Sequence, residues 1–513
     1  MNRSKFTTPP FLAFYTTIVV GFFAHLYALT NVLHNYDDIG NLPNGYGTGV
    51  ESGRWLLTIL GRFFREHAVS FNLPYWNGLI FILFIAISAG FLVSALRIQN
   101  KVLSALIGAL LITFPSATST LFFRYTAIYY GVGFLLSILA VWFSEKYKFG
   151  MIGTILCIAC SLGIYQAYLP MSIALFVLVL IRRALMGEES FEKIFFRGFF
   201  YCVMLVLGLL AYYAMLNYYL TFTSYELLSY QGIDQMGQIA VSDFPLLIMK
   251  SFSEACTFHI KDYCDLASIP LIKYTYFVLF AFSALSLIII FIRLVKKPTL
   301  ILMSVALFCI LPLAINFIVV MTPTGWRYTL MVYPFVLFAC LPIMLADIIQ
   351  GRNLLPELFS SFFPKITAIL ATVLILCYTY QANSTYTSMY YSNRQIENYL
   401  NGIVVQVRMT EGFSPDQEWA LIGNIQDPLL NDYWTYPAHI GGIAYTENML
   451  NRYSRDSWIR FYLGYSIPYA DSQKQQELSA LSEVKEMPCW PADGSIKVIN
   501  DVVVIKFEEL HAE

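Results

Sequence analysis

Residues 11–38 read FLAFYTTIVVGFFAHLYALTNVLHNYDD. From Phe11 to Leu33 the run holds no Asp, Glu, Lys or Arg, and about 20 such residues suffice to cross the hydrocarbon of a bilayer as a helix. The run is too long for a signal-peptide core and lacks a small-residue cleavage site, so it is predicted to stay as the first membrane helix. Asn35-Tyr36-Asp37-Asp38 follows directly. Charge in hydrocarbon costs about 3 kcal/mol or more unless it is solvated, paired or used. Two adjacent carboxylates at the mouth of a membrane helix are therefore the first place to look for chemistry.

The same pattern repeats along the chain. Its 513 residues are 58% hydrophobic and only 13% charged, whereas soluble proteins carry about 25% charged residues. Candidate spans fall near 11–33, 76–96, 102–122, 127–143, 151–165, 167–181, 198–220, 273–293, 299–321, 328–349 and 365–382, about eleven in all. The fold class is a polytopic α-helical membrane protein. Tyr168-Leu169-Pro170 interrupts one pair of spans and predicts a break or re-entrant bend. A net charge of −1 and the lack of a basic tract leave no case for nucleic acid as a partner. Most of the nine cysteines lie in apolar runs as small core residues; Cys256 and Cys264 share one polar loop, where they are either free thiols or, if the loop is extracytoplasmic, a disulfide.

Lys and Arg in the short loops set the orientation. With Arg3 and Lys5 cytoplasmic, the same side collects Arg97, Lys101, Lys146, Lys148, Arg182, Arg183, Lys193, Arg197, Arg293, Lys296, Lys297, Arg352 and Lys365. The loop 34–75, the loop 221–272 and the tail then lie outside the cytoplasm. Residues 1–382 are predicted to form the membrane module. Residues 383–513, richer in charge and with strand-like runs at Trp419–Ile425 and Lys497–Phe507, form an extracytoplasmic α/β domain with a helix over Arg394–Arg408. From Glu51 to Glu66 an apolar stripe of Trp55, Leu56, Ile59, Leu60, Phe63 and Phe64 predicts an amphipathic helix lying in the membrane interface.

Two roles are open to Asp37 and Asp38. As a solvated pair they would cap a turn with Asn35 and Gly40. As catalytic groups, one would act as general base when a sugar passes from a phosphate carrier to an acceptor hydroxyl. The departing phosphate is already a stable anion, so one carboxylate suffices, unlike glycoside hydrolysis. The reading gives Asp37 as the base and Asp38 as adjacent support. Developing negative charge on the phosphate calls for cations, and Arg54, Arg124, Arg327 and Lys261 are the candidates. Tyr165 and Gln166, at the predicted helix break, have the stacking and amide groups that bind a sugar, or serve as interfacial anchors. His25 and His34 read as structural.

Asn35-Tyr36-Asp37-Asp38, then Gly53-Arg54-Trp55, then Gly163-Ile164-Tyr165-Gln166-Ala167-Tyr168, in an eleven-span frame, together resemble the bacterial type II glucosyltransferases. These enzymes attach glucosyl groups to O-antigen and related surface glycans. The resemblance implies a GT-C-like fold, an acidic catalytic position in the first extracytoplasmic loop matched by Asp37 or Asp38, and inversion by single displacement. It implies undecaprenyl-phosphate-glucose as donor and a cell-surface polysaccharide or O-antigen as acceptor. The setting is multi-pass in the bacterial inner (cytoplasmic) membrane, with surrounding membrane lipids and an extracytoplasmic active site. No cofactor is expected for a monophosphate donor, although Asp37-Asp38 could recruit a divalent metal. Alternatives are a transporter or flippase of lipid-linked glycan and an O-antigen ligase or polymerase. The first would favour internal repeats and charge at the bilayer midplane, and the second would use diphosphate-linked donors.

Overall fold

The computed structural model describes residues 7–42, 45–67, 73–223, 225–228, 240, 242–352, 354, 356, 361–425, 427, 429–430, 440–441, 449–451 and 453–509. The chain divides into two compact units. Met1–Asn31, Tyr46–Ser384 and Pro437–Gly442 form the first; Val32–Gly45, Thr385–Tyr436 and Ile443–Glu513 form the second.

Helix α1 (Pro9–Thr30) is followed by α2 (Tyr36–Gly40), which belongs to the second unit. The first unit resumes with α3 (Trp55–His67), α4 (Pro74–Ala95), α5 (Lys101–Thr113), α6 (Pro115–Phe122), α7 (Arg124–Lys146), α8 (Gly150–Ile164), α9 (Leu169–Met186) and α10 (Phe191–Thr223). It continues through α11 (Phe244–Lys261), α12 (Pro270–Leu294), α13 (Pro298–Ile315), α14 (Ile318–Met321) and α15 (Val336–Gly351). Proline opens α1, α4, α6, α12 and α13, where its missing N–H would have no intrahelical partner. Asn100 caps α5 by accepting from the Leu103 N–H at 3.0 Å. Helix α1 packs on α4 and α5, α4 on α7, α7 on α8, and α9 on α13, around a continuous apolar core.

Among the described residues ten helices are long and apolar enough to cross a membrane, and α8 is a shorter apolar helix of 15 residues. The protein is a multi-pass helical membrane protein. The break foreseen near Pro170 is present: α8 ends at Ile164, Tyr165 is extended, and a 3-10 turn over Gln166–Tyr168 leads into α9. Pro115 interrupts the predicted 102–122 span between α5 and α6. Thr329–Phe335, containing Pro334, precedes α15 as a 3-10 segment.

Several of the cations used to orient the chain are tied into buried ion pairs. Arg182 meets Asp347 at 3.0 Å, and Asp347 also accepts from the Gln99 and Asn100 amides at 2.9 Å. Arg183 pairs with Glu145 and Glu189. A cavity of about 170 Å³ among Arg97, Glu145, Arg182 and Arg183 holds none of the candidate site residues. All nine cysteines are free thiols, Cys256 and Cys264 included.

Helix α16 (Phe362–Met409) covers both the predicted 365–382 span and the predicted 394–408 helix. Beyond Pro364 the sequence offers no proline to stop it, and a change from apolar to polar surface does not interrupt backbone hydrogen bonding. Its part from Thr385 onward belongs to the second unit. There β1 (Glu418–Ile422), α17 (Ser472–Ala480), β2 (Ile496–Ile499) and β3 (Val502–Lys506) follow, with β3 central, parallel to β1 and antiparallel to β2. The predicted single run Lys497–Phe507 is thus a hairpin. Asn500 and Asp501 turn it with φ of 51° and 60°, the left-handed pair that a two-residue hairpin loop requires and that Asn and Asp tolerate. Ile396, Leu400, Ile403, Val407, Trp419, Val503 and Ile505 form the core of this unit, and Ile39 of α2 is buried among them. The predicted loop 34–75 is thus divided: its residues up to Gly45 belong to the second unit and those from Tyr46 to the first.

Candidate active site

Helix α2 has only five residues, too few to persist without outside support. Its support comes from the residues around it. Asn35 Oδ1 caps it by accepting from the Asp38 N–H at 2.7 Å, and Ile39 is fully buried. Asp38 is also fully buried, and its Oδ2 lies 3.0 Å from His34 Nδ1. His34 is held at both ends of its peptide by one side chain: its N–H donates to Asn393 Oδ1 at 2.7 Å, and its carbonyl accepts from Asn393 Nδ2 at 3.0 Å. Trp458 and Tyr462 meet the imidazole edge-on at 5.6 and 5.2 Å. A buried carboxylate is tolerable only when paired and hydrogen-bonded, and Asp38 is both.

Asp37 stands in a different environment. It is half-buried, and Tyr453 Oη donates to its Oδ1 at 3.0 Å. Its backbone carbonyl accepts from Asn41 Nδ2 at 2.8 Å. Adjacent in sequence, the two acids are unequal in access: Asp38 faces a histidine inside the unit, and Asp37 can be reached.

In the first unit the other two motif segments meet each other. Arg54 Nη1 donates to Thr48 Oγ1 at 3.0 Å and to Tyr130 Oη at 3.2 Å, and its guanidinium lies 5.0 Å from the Tyr165 ring centre. Tyr165 stacks on Tyr130 with centroids 4.5 Å apart and planes 11° from parallel. Gln166 Nε2 donates to the Ser52 carbonyl at 2.9 Å and to Tyr212 Oη at 3.1 Å, while Tyr212 donates to the Gly53 carbonyl at 3.0 Å. The motif glycines make this approach possible. Gly53 has φ +73°, and a Cβ on it would lie 2.6 Å from both Gln166 Nε2 and Tyr212 Oη; one on Gly163 would lie 2.6 Å from the Trp55 indole. An arginine stacked on a tyrosine pair is suited to an anion next to a sugar, because the fork binds phosphate and the rings bind apolar sugar faces.

The remaining candidate cations have settings of their own. Arg124 is buried and donates to the Asn31 carbonyl at 3.3 Å, while its own carbonyl accepts from Asn77 at 3.0 Å. Lys261 is exposed at the end of α11. Arg327 lies beside a loop in which Asp262, Cys264 and Asp265 have φ of 54°, 52° and 59°, a conformation costing about 1 kcal/mol or more per non-glycine residue. Cys264 Sγ contacts the Arg327 carbonyl at 3.7 Å, and Thr329 Oγ1 donates to Asp265 Oδ2 at 3.2 Å. Burial first, and the Asp265 charge second, push the Cys264 thiol up to about 12. Arg327 Nε and Nη2 are buried and make no hydrogen bond among the described residues; buried donors in that state favour an anionic ligand. Strain and unspent donors together mark functional loops.

On α3 the buried face is Trp55, Leu57, Thr58 and Gly61, whereas Phe63 and Phe64 are exposed. The stripe read from the sequence is therefore rotated from the face packed on protein. Arg62 and Arg65 both engage Tyr46: its hydrogen bond raises the Arg62 pKa, and Arg65 lies over its ring at 5.6 Å.

The structure thus brings Arg54, Tyr165 and Gln166 together and gives Asp37 and Asp38 separate settings. Sequence reading missed Ser52, Tyr130 and Tyr212, and gave His34 no partner. The spacing of His34 and Asp38, four residues apart, is the one available signal of their pairing. Nothing local pointed to Asn393 or Tyr453. Among the described residues no group of three His, Cys, Asp or Glu side chains is arranged to hold a metal ion.

No curated protein matches the chain, and no solved structure matches it. The family described as Glucosyl transferase GtrII matches residues 26–339, more than half of the chain and inclusive of all three motif segments. On that match, this membrane protein belongs to the GtrII family of glucosyl transferases.

Proposed function

We propose that the protein transfers glucose from a polyprenyl-phosphate carrier, undecaprenyl phosphate in a bacterial inner membrane, to a cell-surface polysaccharide or O-antigen acceptor. The transfer is extracytoplasmic and inverts the anomeric centre, in the manner of GT-C-like enzymes. Asp37 takes the proton of the acceptor hydroxyl as that oxygen bonds to the anomeric carbon. The bond from the anomeric carbon to the phosphate oxygen breaks, and its electron pair leaves with the polyprenyl phosphate. Arg54 and Arg327 are the cations best suited to that phosphate: the first for its fork on the Tyr165 stack, the second for its two unspent donors. Arg124 and Lys261 are lesser candidates, and Gln166 holds the segment after Ser52 in place. No metal or other cofactor is required by this scheme.

The observation that carries the reading is the inequality of the acids in a GtrII chain: a half-buried Asp37 beside a fully buried Asp38 that is paired with His34. In proteoliposomes with labelled polyprenyl-phosphate-glucose, Asp37→Asn is expected to lower kcat by about 10²–10⁴-fold with the fold intact. Asp38→Asn is expected to lower the Tm first, with activity falling through the loss of folded protein. Full activity of Asp37→Asn would sink the assignment. Scrambling of the lipid-linked sugar without a glycosidic product would sink the transferase reading.

A further inference from the structure

We infer that Tyr453 is a positioning residue for Asp37, so that the part of the chain beyond the family match contributes directly to the geometry of the reaction. The inference rests on the assignment of Asp37 as the base. Tyr453 lies well outside residues 26–339, yet its hydroxyl is 3.0 Å from Asp37 Oδ1 within the second unit.

Three features make this contact more than a passing surface bond. First, the backbone that carries Tyr453 is anchored. The Tyr453 N–H donates to Asn451 Oδ1 at 3.1 Å, Ser454 Oγ donates to the Met449 carbonyl at 3.0 Å, and Arg455 Nη1 donates to the Gly423 carbonyl at 3.0 Å. Ser454 and Arg455 are buried, so the exposed ring stands on a fixed base. Second, the acid is fixed from its other side. Asn41 bonds the Asp37 carbonyl, and the Asn35 cap and the buried Ile39 hold α2. With backbone positions set at both ends, the phenol–carboxylate bond acts on the side-chain torsions of Asp37. Third, a hydroxyl donating to an ionised carboxylate makes a charge-assisted bond, stronger than a neutral one. A base held in one orientation meets the acceptor hydroxyl without a search, which is the use of a second layer of contacts around a reacting group.

The test compares Tyr453→Phe with Asp37→Asn in the full-length protein in proteoliposomes, with donor and acceptor varied separately. Phenylalanine keeps the ring and removes only the hydroxyl. The expected result is a kcat lower by about tenfold, KM for both substrates within about twofold, and an unchanged Tm. A purely structural role would move the Tm, and a sugar-stacking role would leave Tyr453→Phe active. Wild-type kcat in Tyr453→Phe, or a fall explained by lost folded protein, overturns the inference while leaving the base intact. Full activity in Asp37→Asn overturns the base itself, whatever Tyr453→Phe does.

Discussion

Gly53 shows how much of the first unit's motif cluster depends on the absence of a side chain. Its φ of +73° costs any other residue about 1–2 kcal/mol, and a methyl there would meet Gln166 and Tyr212 at 2.6 Å. Gly53→Ala is therefore expected to lower the Tm and to weaken donor binding together, read as a raised KM for the polyprenyl-linked sugar. A variant that keeps wild-type Tm and KM would show that the Ser52–Gln166–Tyr212 bonds have no part in the site. At this scale the sequence was legible where chemistry is written in residue type. Acids, arginines and aromatic-amide pairs stood out, and the Gly53-Arg54-Trp55 and Gly163–Tyr168 segments do meet. What stayed hidden were partners from distant positions. His34 and Asn393 are 359 residues apart, and no local pattern encodes a bond of that range.

Among the elements, α2 is the most dependent on its neighbours. Five residues cannot offset helix nucleation, so the cap at Asn35 and the burial of Ile39 in the core of the second unit keep it formed. Ile39→Ala is expected to cost about 2–5 kcal/mol of second-unit stability and to abolish transfer, although residue 39 carries no polar group. Thermal unfolding alongside the transfer assay checks it, and retained activity would mean that α2 holds its shape without this contact. Element types were legible from the length of apolar runs and from proline: about eleven spans were expected where ten long apolar helices and the shorter α8 are found among the described residues, and the break before α9 is at the expected place. Element ends were less so. The run Lys497–Phe507 turned out to be two strands because Asn500 and Asp501 form the turn without a glycine to announce it. Helix α16 hid its length because its polarity changes midway while its backbone does not.

For the whole molecule, orientation in the membrane is the property on which the proposed chemistry depends. The loop cations predict Lys148 in the cytoplasm and the tail outside. In a background with the native thiols replaced, Gln476→Cys is expected to react with a membrane-impermeant maleimide on intact cells. Lys148→Cys is expected to react only after permeabilisation. The reverse pattern would put the acids on the wrong side for a surface glycan. Both positions are exposed, so failure to label reflects the membrane rather than burial.

The bond between His34 and Asn393 also sets an order of events during synthesis. The ribosome makes Val32–Gly45 well before the side chains that bond it: Asn393 follows His34 by 359 residues, and Tyr453 follows Asp37 by 416. Until then Asp37 lacks its bond to Tyr453, and His34 lacks its bonds to Asn393. The nascent chain therefore passes most of its insertion before the partners of His34 and Asp37 are made.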